Sequence, residues 1–189
     1  MKIGILALQG AFIEHEKILK SLGADCVEIR QLSDLEGIQG LVLPGGESTV
    51  QGQLLRKLNL LEPIQKMISD GLPVLATCAG LILLSEHLES DETTHLATLP
   101  VTTKRNAYGR QLGSFTTAAP MKYVGEIPMV FIRAPYIESA DNGVEVLATV
   151  DEHIVAVKYQ NQLGLSFHPE LTEDNHIHQY FLDMVASRI

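Results

Sequence analysis

Three side chains in this 189-residue chain are of the types that acyl transfer needs. Cys78 sits in Thr77-Cys78-Ala79-Gly80, between the apolar runs 73–76 and 81–84. The first run reads as a buried strand and the second as the start of a helix. Four small residues between them allow a strand to turn sharply into a helix. The corner residue is then pushed out of the sheet onto the first helical turn. There the helix dipole favours a thiolate, and the N–H of Ala79 points to where an oxyanion would form. This is a nucleophile elbow with cysteine in place of serine. His168 and Glu170, separated by Pro169, follow the strand-like stretch 163–167. In an extended segment residues i and i+2 point the same way, so Glu170 can accept a hydrogen bond from the His168 imidazole. Nucleophile, base and orienting carboxylate are then all present. Plainer readings stay open: free cysteine is often a buried, inert residue, and His168 and Glu170 equally make a surface pair at a strand end. Spacing along the chain does not by itself bring His168 to Cys78.

The elements that must position these groups follow a βαβ rhythm. Residues 3–8 form a nearly continuous apolar run, as a parallel strand covered on both faces requires. Phe12, Ile18, Leu19 and Leu22 recur at helical spacing up to Gly23, and residues 26–29 and 40–43 read as two further strands. The rhythm predicts a parallel sheet flanked by helices. The third strand runs into Pro44-Gly45-Gly46-Glu47-Ser48, where Ser48 and Gln51 have capping-box spacing for a new helix. This is either an ordinary strand-to-helix turn or a second source of backbone N–H groups facing Cys78. Both turns belong at the carboxyl ends of strands, where open α/β sheets bind ligands. Leu60, Leu61, Ile64, Met67 and Ile68 mark a helix before the elbow, and residues 89–95 read as a surface loop. Strands are expected at 99–103, 113–117, 129–133, 144–150, 154–159 and 163–167, with Gln160-Asn161-Gln162 turning the last two into a hairpin. Ile177, Tyr180, Phe181, Met184 and Val185 mark a C-terminal helix. Arg105, Arg110 and Arg133 are either solvated cations or forks for a substrate carboxylate. The remaining histidines look unexceptional. His176 and His178 do not share a helix face, so no metal site is expected.

The whole chain sets further bounds. Its length suits one domain with a sizeable core, and 46% hydrophobic with 20% charged residues is an ordinary globular composition. The net charge of −9 argues against a nucleic-acid partner. No apolar run is long enough to span a membrane, and the start, Met1-Lys2-Ile3-Gly4, lacks a signal-peptide pattern. Two cysteines do not make a disulfide framework, so a reducing, cytoplasmic setting is expected.

Six motifs occur in order: Leu8-Gln9-Gly10-Ala11, Pro44-Gly45-Gly46-Glu47-Ser48-Thr49, Thr77-Cys78-Ala79-Gly80-Leu81-Ile82, Arg105-Asn106-Ala107-Tyr108-Gly109-Arg110-Gln111, Phe131-Ile132-Arg133-Ala134-Pro135 and Ser166-Phe167-His168-Pro169-Glu170-Leu171-Thr172. Together they resemble the class I, triad-type glutamine amidotransferases. Within that class they resemble the glutaminase subunits of pyridoxal 5′-phosphate synthases, nearly end to end. The cysteine and His-x-Glu motifs belong to the whole class, whereas the Gly-Gly-Glu-Ser-Thr and Arg-Asn-x-x-Gly-Arg-Gln motifs are narrower. The resemblance implies one glutaminase domain over 1–189, an α/β fold of the flavodoxin-like three-layer α/β/α kind, a mostly parallel central sheet and a β-rich C-terminal third. It implies hydrolysis of L-glutamine to L-glutamate and ammonia, with the ammonia passed to a synthase subunit that makes vitamin B6 cofactor, and no cofactor or metal of its own. Cys78, His168 and Glu170 would be catalytic. Gly46, Glu47, Ser48, Arg105, Ile132 and Arg133 would bind glutamine. Gly46 and Ala79 would form the oxyanion hole, and Gln9 belongs to an activation and interface region.

Two positions depart from the pattern. Ala76 stands where the family usually has glycine, which adds a methyl beside the elbow. Asp174-Asn175-His176 replaces a commonly more basic stretch. Other readings are a glutaminase serving a different synthase, a cysteine peptidase or chaperone-like elbow protein, and a catalytically silent regulatory subunit. Ile82 stands where many class members carry glutamine, which weighs against the first. His168-Pro169-Glu170 weighs against the second, and the intact Cys78, His168 and Glu170 against the third.

Overall fold

The computed structural model describes residues 1–90, 93–108 and 113–188. The chain begins with the βαβ rhythm that its apolar spacing dictates: β1 (Lys2–Leu6), α1 (Phe12–Ser21), β2 (Asp25–Ile29), β3 (Gly40–Leu43), α2 (Ser48–Lys57), α3 (Leu61–Ser69) and β4 (Val74–Thr77). Then follow α4 (Ala79–Leu84), β5 (Ser85–Leu88), β6 (Leu99–Lys104), β7 (Ser114–Met121), β8 (Gly125–Ile132), β9 (Tyr136–Ala140), β10 (Glu145–Val150), β11 (His153–Tyr159), β12 (Gln162–Leu165) and α5 (His176–Ala186).

Ten strands form one sheet in the order β2-β1-β3-β4-β12-β11-β9-β6-β5, with β10 paired to β11. From β2 to β12 every pairing is parallel; from β12 to β6 the pairings are antiparallel, and β5 again runs parallel to β6. Tyr159 pairs with Gln162, so the β11–β12 hairpin turns on Gln160 and Asn161, and Gln160 takes a positive φ of 51°. Among the described residues β7 and β8 pair only with each other, as a separate hairpin.

Alternate residues of the central strands face opposite layers. Ile3, Ile5, Val42, Leu75, Leu163 and Leu165 pack with α1, α5 and the β7–β8 hairpin, through Leu19, Phe181, Val185 and Phe131. Leu41, Leu43, Val74 and Ala76 pack on the other face with α2, α3 and α4, through Leu55, Ile64 and Leu81. This is the three-layer α/β/α arrangement. Among the described residues no helix is long and apolar enough to cross a membrane.

Two local expectations are corrected. Ser48 is the first helical residue of α2 and Glu47 its N-cap, with no side-chain cap. Gln51 is fully buried and donates its amide to Gln9 O and Pro44 O instead of closing a capping box. In the stretch expected as a surface loop, Asp91 and Glu92 lie outside the described residues, and His95 is not on the surface but buried, with its Nδ1 2.9 Å from Arg56 Nη1. The apolar run 81–84 is helical as expected, within the six-residue α4, and β5 begins directly after it.

Candidate active site

The parallel half of the sheet gathers the chemistry at one edge. β1, β3, β4 and β12 are consecutive neighbours, and their carboxyl ends lead into Gln9-Gly10, Gly45-Gly46, Cys78 and His168. β1 has β2 on one side and β3 on the other, so a topological switch point lies beside it. Thr77 is in register with Leu165, and Cys78 N donates to Leu165 O at 2.8 Å. Cys78 takes φ 49° and ψ −103°, a conformation that non-glycine residues rarely adopt. Gly80 explains why the elbow is this tight. A Cβ there would stand 2.0 Å from Leu43 O, so only glycine lets α4 start against β3.

His168 meets Cys78 over Gly45. A Cβ on Gly45 would lie 2.3 Å from His168 Cε1 and 3.4 Å from Cys78 Cβ. His168 Nδ1 is 2.6 Å from Glu170 Oε1. The two are brought together by a single 3-10 turn over Pro169–Leu171, in place of the expected extended segment. Burial opposes protonation of His168, but hydrogen bonds to Cys78 and Glu170 outweigh it and push its pKa up to about 10. Burial likewise pushes the Glu170 carboxyl up, and the facing polar edge of His15 together with the hydrogen bond and charge of His168 more than reverse that, so Glu170 stays ionised. Cys78, His168 and Glu170 are thus contiguous. Cys78 and His168 reach the cleft, and Glu170 lies behind them, 5% exposed.

The cleft has a volume of about 520 Å³, room for an amino acid and ordered water. Gln9, Gly46, Glu47, Ser48, Ala79, Arg105, Ile132 and Arg133 line it together with Cys78 and His168. Ile82, Asn106 and Leu171 also line it. Arg105 Nη2 stands 3.3 Å from Thr49 Oγ1, and Arg133 Nη2 stands 3.9 Å from Glu47 Oε1. Arg110 lies outside the described residues, as do Gly109 and Gln111. The two glycine turns are clipped together. Gly45 O accepts the N–H of Ala11 at 3.0 Å, and Gln9 Oε1 accepts the N–H of Glu47 at 2.7 Å. A Cβ on Gly10 would fall 1.9 Å from Gly45 O, so the turns touch backbone to backbone. Gly45 N donates to Thr77 Oγ1 at 3.2 Å, so this N–H is already engaged.

The expectation that the other histidines are unexceptional is overturned. His15 and His178 are both fully buried and bonded in series behind the triad. His15 Nε2 is 3.4 Å from Glu170 Oε2 and 3.2 Å from Thr77 Oγ1, and His15 Nδ1 is 2.9 Å from His178 Nε2. Their signal in the sequence is helical phase. His15 leads Leu19 and Leu22 at i+4 and i+7, and His178 leads Phe181, Leu182 and Val185 at i+3, i+4 and i+7, so each sits on the apolar stripe of its helix.

Residues 5–187 match the SNO glutamine amidotransferase family. The chain is 60% identical over 187 residues to the pyridoxal 5′-phosphate synthase subunit PdxT of Desulfitobacterium hafniense (strain Y51), covering 98% of this chain and 94% of that one. It is 57% identical over 192 residues to the same-named subunit of Streptococcus pneumoniae (strain CGSP14), covering 100% and 99%. A crystal structure of a glutamine amidotransferase superposes with a TM-score of 0.93 at 41% identity, covering 97% of this chain and 98% of that one. A putative GMP synthase component from Thermoplasma acidophilum shares the fold at a TM-score of 0.70 and 20% identity, covering 100% and 95%. The chain belongs to the SNO glutamine amidotransferase family.

Proposed function

We propose that Cys78, His168 and Glu170 hydrolyse the side-chain amide of L-glutamine through a γ-glutamyl thioester. The chain is the glutaminase subunit of a pyridoxal 5′-phosphate synthase and supplies it with ammonia. The observation that carries the triad is the placement of His168, which is bonded to Glu170 through Nδ1 while the same ring meets Cys78. The sulfur of Cys78, as thiolate, attacks the amide carbon. The carbonyl oxygen becomes an oxyanion, held by the N–H groups of Ala79, at the start of α4, and of Gly46. The C–N bond then breaks, and His168 gives its proton to the leaving nitrogen, which departs as ammonia. His168, now neutral, takes a proton from water, and the resulting hydroxide adds to the thioester. Breaking the C–S bond releases glutamate and restores the thiolate–imidazolium pair. Arg105 and Arg133 face the α-carboxylate, while Glu47 and Ser48 complete the substrate's surroundings at the start of α2.

Gln9 and the first helix form the docking side for the synthase partner, and docking gates the oxyanion hole. The Gly45–Gly46 peptide is held by one hydrogen bond, from Ala11 N–H to Gly45 O. Breaking such a bond costs about 0.5–1.5 kcal/mol, well below the ~100- to 1,000-fold in kcat that one oxyanion donor supplies. A partner pressing on Gln9 and α1 can therefore select the peptide orientation that directs an N–H at the oxyanion. Glutamate release measured with and without the synthase partner tests this. We expect kcat to rise far more than KM falls. Equal turnover by the isolated chain would remove the gate and leave the triad standing.

A further inference from the structure

We propose that His15 and His178 are positioning residues for the triad: two neutral imidazoles, bonded in series, that hold the second oxygen of Glu170 and fix its orientation toward His168. The proposal rests on the assignment of Glu170 as the triad acid.

One arrangement of protons gives both oxygens of Glu170 a donor. Glu170 Oε1 is taken by His168 Nδ1 at 2.6 Å. Oε2 is buried without a hydrogen-bond partner among the described residues, and the polar atom of His15 that approaches it is Nε2, at 3.4 Å. An ionised carboxylate only accepts, so it favours an N–H at His15 Nε2; a lone pair there, even one taking the Thr77 hydroxyl proton, would face the anion and repel it. With its proton on Nε2, His15 offers Nδ1 as an acceptor to His178 Nε2–H at 2.9 Å. That leaves His178 Nδ1 as a bare acceptor, and this atom is the one buried without a partner. The opposite tautomers would bury an orphaned N–H at His178 and aim a lone pair at Glu170. An orphaned buried N–H is rarer than an unfilled acceptor.

Burial keeps both rings neutral. It lowers the pKa of His15, with only partial opposition from Glu170, and lowers that of His178 to about 3. The charged and titratable groups facing the pair are Glu170 and His168 on the 3-10 turn after β12, Glu14 on α1, and Asp174 ahead of α5. The chain of contacts extends further on the other side. The same His15 Nε2 lies 3.2 Å from the Thr77 hydroxyl oxygen, which accepts the N–H of Gly45. One imidazole of α1 therefore touches the acid of the triad, the residue preceding the nucleophile and, through it, the glycine turn.

The test uses the glutaminase–synthase complex. His15→Leu keeps the volume and removes the donor. We expect kcat to fall about 10- to 100-fold, the scale of one hydrogen bond to a charged group, with KM for glutamine within about threefold. The acid limb of the kcat–pH profile should move up, because a carboxylate that loses a donor is protonated at higher pH. His15→Gln, whose amide N–H reaches toward the same oxygen, should recover most of the loss. In the unaltered protein, side-chain nitrogen NMR should show both histidines as Nε2–H tautomers from pH 8 to pH 5. That measurement decides the matter even where His15→Leu does not fold. An unchanged kcat and acid limb in folded His15→Leu, or an Nδ1–H tautomer or ordinary titration at either histidine, overturns the proposal. Glu170→Gln separates the two claims. If it is inactive while His15→Leu is normal, only the positioning pair fails; if it turns over glutamine normally, the triad assignment itself fails.

Discussion

Arg133 shows how much a single residue's backbone can decide. It closes β8 in a left-handed conformation, φ 43°, with its N–H bonded to Gly113 O, and this turns its side chain into the cleft. Its contact with Glu47 is long, and both side chains are more than half exposed, so the pair is weak and yields readily to a substrate carboxylate. Arg105 enters the cleft from the turn after β6. A planar fork suits a carboxylate better than an ammonium does. Arg105→Met and Arg133→Met should each lower kcat/KM for glutamine about 10- to 100-fold, mainly through KM, with poor rescue by lysine. Unchanged kcat/KM in both variants would remove them from the substrate site.

At the scale of elements, the elbow depends on how closely α4 approaches β3. Gly80→Ala places a methyl 2.0 Å from Leu43 O, a backbone atom that cannot swing aside. We expect a loss of about 1–3 kcal/mol or more in unfolding free energy, together with a loss of glutaminase activity as Cys78 is displaced. A variant with an unchanged denaturation midpoint and full activity would show that the close approach is not required. The elements that build this edge are legible in the sequence because each carries its own periodicity: continuous apolar runs in β1, β3 and β4, small residues at the elbow, and helical stripes in α1, α3 and α5. β5 and β9 are not legible. Ser85-Glu86-His87-Leu88 and Tyr136-Ile137-Glu138-Ser139-Ala140 have no clear apolar period and are strands because β6 lies between them and pairs with both. The join between His168 and Glu170 is legible as a pairing and not as a shape. A 3-10 turn brings the two side chains together as effectively as an extended segment would. His15 and His178 stand on apolar stripes, but nothing in one dimension shows that two helices far apart in sequence pack those faces together behind Glu170.

The whole molecule carries these buried groups as a dependence of stability on pH. His15 and His178 bind protons less readily folded than unfolded. As pH falls from about 6.5 toward 3 the unfolded chain takes up protons that the folded chain refuses, so stability falls. Glu170, ionised below its ordinary range when folded, acts in the same direction below about pH 4.5. His168 acts oppositely. Its folded pKa of about 10 exceeds the unfolded value of 6.5, so its contribution is complete below 6.5 and is lost as pH rises toward 10. Denaturant unfolding across pH should therefore show a maximum near neutrality, and His178→Phe should flatten the acid side. An acid limb unaffected by His178→Phe would mean that this imidazole accepts a proton in the folded protein.

In the proposed mechanism Cys78 carries the acyl group. A glutamine-analogue electrophile, applied to the complex and followed by peptide mass spectrometry, tests it most directly. Cys78 faces the cleft beside His168, whereas burial pushes the thiol of Cys26 up to about 11. We expect one adduct, on the peptide that contains Cys78, appearing in step with the loss of glutamate release. An adduct on Cys26 alone, or complete inactivation with Cys78 unmodified, would contradict the account.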